Sequence, residues 1–171
     1  PGIEALFDPA ADADLQTLIG PTRFSGIDIL PSSPALAPFD LSDQEAWEAT
    51  DAHFSLAEGL REIRGQYDYI IFDCPPRLSL VSFAALCASQ YVVIPLEAAD
   101  WGAQGIVQVT AAVENVQSRY NPNLELLGYL VSRYKKARSY QRSYLVKLRE
   151  HFGKGAFDTL AERVNSFETP A

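Results

Sequence analysis

No methionine occurs in the 171 residues, and cysteine appears only twice, as Cys74 and Cys87. That pair has no metal-ligand spacing and builds no disulfide framework, so a reducing cytoplasm is the expected setting. Histidine is almost as scarce: His53 and His151 lie far apart, with no evident carboxylate or cysteine partner, and both read as packing or surface residues. No apolar run reaches the ~18 residues that a bilayer span needs, and no charged-then-apolar leader signals export. The chain starts at Pro1 without an initiator, and with the missing methionine this suggests a piece of a longer protein.

What is present is a globular composition, 47% hydrophobic and 21% charged, so disorder is not expected. The length suits a single domain, residues 1–171, with a substantial core. A net charge of -8 would by itself argue against a nucleic-acid partner, but the charge is not spread evenly. Arg133, Lys135, Lys136, Arg138, Arg142, Lys147, Arg149 and Lys154 are eight of the 14 basic residues and are opposed locally only by Glu150. That stretch carries 8 − 1 = +7, which leaves −8 − 7 = −15 for the rest. One basic face on an acidic body is the implied distribution.

Hydrophobic periodicity predicts a short helix in 1–20, with Leu6, Leu15, Leu18 and Ile19 inward, and a short strand over 26–31 between Gly26 and Pro31. Ser42 and Glu45 form a capping box that opens a helix to Arg64, where Gly65 supplies a left-handed stop. Tyr67–Phe72 reads as a strand buried on both faces, and Leu78–Ala88 as a helix apolar nearly all round. A strand over 91–96, a helix over 103–119, a strand over 124–131 and a basic amphipathic helix over 138–152 follow, the last ended by Gly153. Strands and helices alternate at crossover spacing, so the expected fold class is α/β, a mostly parallel sheet covered by helices.

The sharpest local motif is Tyr69-Ile70-Ile71-Phe72-Asp73-Cys74-Pro75-Pro76. In a parallel α/β sheet ligands sit beyond the carboxyl ends of the strands. A carboxylate at such a tip suits a magnesium ion held through water beside nucleotide phosphates. Pro75 and Pro76 stiffen the exit and carry no backbone donor, which suits a loop that responds to a phosphate. The plainer alternative is that Asp73 caps the next helix. Cys74 has no nearby base and reads as a small residue in a tight loop.

From Tyr67 to Phe157 the chain resembles the ParA/MinD family of partition ATPases. The resemblance is carried by Y-D-Y-I-I-F-D-C-P-P at 67–76, V-V-I-P-L at 92–96, R-Y-N-P-N-L-E-L-L-G at 119–128 and L-R-E-H-F-G at 148–153. Upstream, D-I-L-P-S-S at 28–33 favours the ParA branch. The resemblance implies a deviant P-loop fold, incomplete at its N-terminus here, that binds ATP and Mg2+ and forms a nucleotide-sandwich homodimer. The dimer would bind DNA non-specifically and release it when a ParB-like partner stimulates hydrolysis, in the cytoplasm at the nucleoid. It assigns Asp73 the catalytic, magnesium-organising role of a Walker-B-type aspartate, with Pro75 facing the nucleotide and Ser132 and Arg133 near the adenine base.

The family pattern is not complete. The loop K-G-G-x-G-K-[ST] does not occur in the 171 residues, so this stretch alone is expected to bind ATP poorly. Asp8-Pro9 imitates the family's aspartate-proline switch but sits in a helix-like context, and Ala161-Glu162-Arg163-Val164-Asn165 lacks the usual proline-arginine-asparagine order.

Lys135, Lys136, Arg138, Arg142, Lys147 and Arg149 are the DNA-binding candidates. Arg138, Arg142 and Arg149 fall at i, i+4 and i+11 on one helical face, and Tyr134, Tyr140 and Tyr144 lie among the cations. Such a face neutralises phosphates without reading bases; alternatively it is a solvated face that balances acidic neighbours. Trp101, with Asp100 and Gln104, reads as partner contact or packing. Two other functions stay open: a non-catalytic DNA-binding or scaffold protein of the same fold, and a metabolic amide- or biotin-precursor synthetase, which would not need the +7 segment. Membrane attachment is not expected.

Overall fold

A computed structural model describes residues 2–11, 14–40, 43, 45, 48–75, 78–97, 103–135 and 138–162. Two compact units emerge: Pro1–Gln90 with Ala111–Leu124, and Tyr91–Thr110 with Glu125–Ala171.

In the first unit the expected helix over 1–20 is broken. A 3-10 turn spans Ile3–Leu6 and a single helical turn, α1, spans Leu15–Leu18. The interruption has a local cause: the Asp8 carboxylate accepts the Ala10 N–H at 2.9 Å, which fixes a turn instead of a helix. Leu15 is buried as expected, together with Phe7. The strand expected over 26–31 shrinks to β2, Asp28–Ile29, antiparallel to β1, Gly20–Pro21, around a turn where Gly26 has φ 78°. A short helix, α2, spans Ala37–Asp40.

The long helix expected from Ser42 to Arg64 is also divided. Its capping serine lies outside the described residues, Asp51 sits in the left-handed region at φ 54°, and 3-10 turns flank a short α3 at Ser55–Gly59. Gly65 is not left-handed: the chain passes through a 3-10 turn, Arg64–Gln66. The apolar helix is present as α4, Leu80–Ala88, with every residue but Leu86 buried. Burial of such side chains supplies about 1.5–3 kcal/mol each for the large aliphatics.

The second unit is a parallel sheet in the order β3-β4-β5: Tyr91–Glu97, Glu125–Tyr134 and Ala156–Glu162. Helix α5, Ala103–Arg119, follows β3, and α6, Ser139–Phe152, follows β4. β5 was not expected from the sequence. Gly153, at φ 54°, stops α6 as expected, and its N–H reaches the Arg149 carbonyl. Helix α6 turns Gln141, Tyr144, Leu145 and Leu148 inward, the i, i+3, i+4, i+7 stripe of an amphipathic helix. Tyr144, Leu145 and Leu148 close over Val131 and Tyr134 of β4 and Ala156 of β5, with Leu96 and Leu160 packed against them. Tyr129 of β4 bonds to Thr110 of α5 at 3.2 Å and stacks on Phe152 of α6 at 4.0 Å, so both helices contact one side chain of the sheet.

Two strand expectations need correction. Tyr67–Phe72 belongs to no sheet among the described residues, and Tyr69 and Ile71 are 86% and 88% exposed. Burial on both faces needs neighbouring strands, and none of those described pairs with it. β3 forms, but only Ile94 is buried in it, because β4 is its sole sheet neighbour among the described strands. No helix among the described residues is long and apolar enough to cross a membrane.

Candidate nucleotide and nucleic-acid sites

Asp73 is exposed at the end of the unpaired segment, in the first unit. The segment is anchored at its start by Tyr67, whose hydroxyl donates to Asp28 of β2 at 3.0 Å. That bond to a carboxylate raises the Tyr67 pKa. Among the described residues Asp73 makes no hydrogen bond or ion pair, and Pro75 beside it is half-buried. Ser79, not Asp73, is the residue preceding α4. Ser79 bonds to Asp40 at 2.7 Å, which fixes the entry to α4 and leaves the Asp73 carboxylate outside that helix's capping. Pro76 lies outside the described residues.

Cys74 is exposed, and partial desolvation of its sulfur, then the adjacent Asp73 charge, push the thiol above its ordinary pKa, which disfavours a nucleophilic role. Burial pushes Cys87 up to about 11. Asp8 of the Asp8-Pro9 pair is exposed and holds only its own turn.

Ser132 and Arg133 belong to the second unit, at the carboxyl end of β4. The Ser132 hydroxyl donates to the Leu96 carbonyl at 3.4 Å, and Arg133 pairs with Glu97 at 2.8 Å across the ends of β3 and β4. Arg133 stands at φ 54°, a left-handed conformation that costs a non-glycine residue energy and recurs at functional loops. Glu97 was not singled out in the sequence; only the parallel register, which pairs Glu97 with Ser132, brings it there.

The cations divide into distinct settings. Lys136 lies outside the described residues. The Lys135 backbone N–H donates to the buried Gln141 side chain at 2.6 Å, so Gln141 pins the basic loop to α6. Arg138, immediately before α6, lies near Tyr140, donating to its hydroxyl at 2.7 Å with the guanidinium 5.9 Å from the ring. Arg142 is exposed. Arg149 pairs with Asp158 of β5 at 3.3 Å. At about 100° per residue, Arg138, Arg142 and Arg149 fall within about 40° of one another, whereas Lys147 lies about 140° round from Arg142. Lys147 is exposed but on a different side of the helix.

The first three residues of the 119–128 motif make contacts within the first unit. Arg119 pairs with Glu48 at 3.6 Å and the Tyr120 hydroxyl donates to the same carboxylate at 2.7 Å. The Asn121 amide donates to the carbonyls of Leu86 at 3.1 Å and Ser89 at 2.6 Å, satisfying the end of α4. His53 is buried against Phe54 and Tyr120, in keeping with a packing role. Trp101, Asp100 and Arg163–Asn165 lie outside the described residues.

For an implied magnesium ion, the donor that the described residues offer at this segment is the exposed Asp73 carboxylate. No group of three or more His, Cys, Asp or Glu gathers among the described residues. That fits an ion held through water beside phosphates and does not fit a metal caged by side chains.

A family model described as an AAA domain matches residues 3–126. Over 154 residues the chain is 31% identical to a chromosome partitioning protein ParA of Myxococcus xanthus, covering 89% of this chain and 53% of that protein. The chain thus spans about half the length of that relative. Among solved structures, a cobyrinic acid a,c-diamide synthase from Mycobacterium smegmatis with bound ADP and magnesium matches at TM-score 0.79 and 24% identity, over 94% of this chain and 63% of that one. A plasmid partition protein from Borrelia burgdorferi matches at TM-score 0.73 and 24% identity, over 95% and 64%. These two matches show a common α/β fold, a parallel sheet flanked by helices.

Proposed function

The chain belongs to the ParA/MinD family of partition ATPases, and on that premise we propose that the full protein is a DNA-segregating ATPase that dimerises on ATP. The observation that carries this reading is the exposed arginine edge at α6, three arginine positions within about 40° of arc on an otherwise acidic chain. A metabolic synthetase of the same fold would not need that edge. Contacts of this kind neutralise phosphates whatever the sequence, as a protein that travels on bulk DNA requires.

Asp73 is the residue that would organise magnesium, through water, with Pro75 shaping the loop beside it. Bound magnesium supplies charge neutralisation between the phosphates. Ser132 and Arg133 would lie near the base. The glycine- and lysine-rich phosphate loop is not among these 171 residues, so this stretch by itself is expected to hold ATP poorly. A ParB-like protein is the expected stimulating partner, and the cytoplasm at the nucleoid the expected location.

In the full-length protein, Arg138→Glu with Arg142→Glu is expected to abolish retention on non-specific DNA while leaving ATP binding intact. Unchanged retention at low salt would sink the assignment. Asp73→Asn should reduce magnesium-dependent ATP hydrolysis by about 100-fold or more, on the scale of losing a transition-state contact. Turnover within a few-fold of the parent protein would remove Asp73 from the catalytic role.

A further inference from the structure

The three arginines along the edge of α6 are not equivalent. Arg138 engages the Tyr140 hydroxyl, which carries no opposing charge. Arg142 makes no ion pair among the described residues and is exposed. Arg149 is held twice by one residue: its guanidinium lies 3.3 Å from the Asp158 carboxylate and donates to the Asp158 backbone carbonyl at 3.4 Å. Asp158 comes from β5, the strand that follows α6, and its side chain is fully exposed. Glu150, the next residue on α6, points about 100° away from Arg149.

We propose that Asp158 is a built-in competitor for Arg149, a counter-charge that a DNA phosphate must displace, so that Asp158 sets the strength and salt dependence of duplex DNA binding. This rests on the reading of α6 as the DNA-facing edge. Two physical effects act in the same direction. A phosphate that takes Arg149 must break the existing pair, and a carboxylate left beside that phosphate repels it. Exposed pairs of this type contribute little to fold stability, so the chief consequence of Asp158 is to lower the charge that Arg149 offers. The arrangement grades the edge, with Arg138 and Arg142 committed to phosphate and Arg149 conditional.

The test is binding of full-length protein, in ATP, to labelled duplex DNA of random sequence across a salt series. Asp158→Asn is expected to tighten binding about two- to five-fold, the range of a lost exposed ion pair. It should also steepen the slope of log K against log salt by about 0.9, one further phosphate neutralised. Arg149→Gln should weaken binding, and adding Asp158→Asn to it should then change nothing, because the effect runs through that guanidinium. Equal affinity of the parent and Asp158→Asn would overturn the competitor role while leaving the α6 edge intact. Equal tightening with and without Arg149 would overturn it in favour of a general charge effect. No DNA binding by the parent protein at low salt would overturn this inference and the DNA reading together.

Discussion

Glu4 is a charged residue held only 8% exposed, and it stays ionised because three groups donate to it. The Ser33 hydroxyl lies at 2.7 Å, the Ser33 N–H at 3.2 Å and the Gly2 N–H at 2.8 Å, and the Ser33 hydroxyl bond is the largest influence lowering its pKa below the ordinary 4.5. A depressed carboxylate adds stability that is fully present above its unfolded pKa and is lost as pH falls through the lowered folded value. Denaturant melts between pH 7 and 3 should therefore show stability falling off below about 4.5, with Glu4→Gln flattening that fall. A Gln variant with the same acid profile would show that other carboxylates govern it. Asn121 is the second residue whose weight is local. Asn121→Ala strips donors from two carbonyls at the end of α4 and should cost about 1–3 kcal/mol in urea melts. Neither role was legible in the sequence, since both depend on groups more than 25 positions away, and hydrophobic period does not encode them.

Elements with a strong period of their own were read correctly. α5 spans Ala103–Arg119 as expected and α6 begins one residue after the expected start, because their apolar stripes and the Gly153 stop are local signals. Tyr67–Phe72 failed for the opposite reason: its apolar residues fit a buried strand, but a strand exists only when something pairs with it. β5 was missed because Ala156 is its only buried residue and its apolar positions, Ala156, Phe157, Leu160 and Ala161, follow no strict alternation. The candidate site divides in the same way. Asp73 and the arginine period were visible, whereas Glu97, Gln141 and Asp158 become relevant only through strand register and packing. Gly128 shows how much register matters. It lies at φ 143° where the β3–β4 pairing slips by one residue, and a Cβ there would be driven into the Gly155 carbonyl oxygen. Gly128→Ala should destabilise the full protein by more than about 1 kcal/mol, through backbone strain and the clash together. An unchanged urea midpoint would mean that the β4–β5 connection yields freely.

For the molecule as a whole, the exposed surface of the 67–72 segment is the feature with the widest consequence. Tyr69 and Ile71 present large apolar side chains, and the backbone beside them has no strand partner among the described residues. An apolar segment without a strand partner is a template for pairing with another chain. Repulsion from a net charge of -8 opposes association, but the charge is lopsided, and a +7 stretch on one copy attracts the acidic remainder of the next. The 171-residue chain expressed by itself should therefore self-associate in a concentration-dependent way, read as a rising mean mass in light scattering. The apolar and the electrostatic routes separate cleanly. If the segment drives association, Ile71→Lys with Tyr69→Thr lowers the mean mass and added salt does not. If the charge asymmetry drives it, raising salt toward 1 M, where the screening length is about 3 Å, dissolves the assemblies and the double substitution leaves them in place. The apolar route is the expected one, because two side chains more than 85% exposed lose their water on pairing whatever the salt. A chain that stays monomeric at high concentration in both buffers would show that Tyr69 and Ile71 do not offer a working edge.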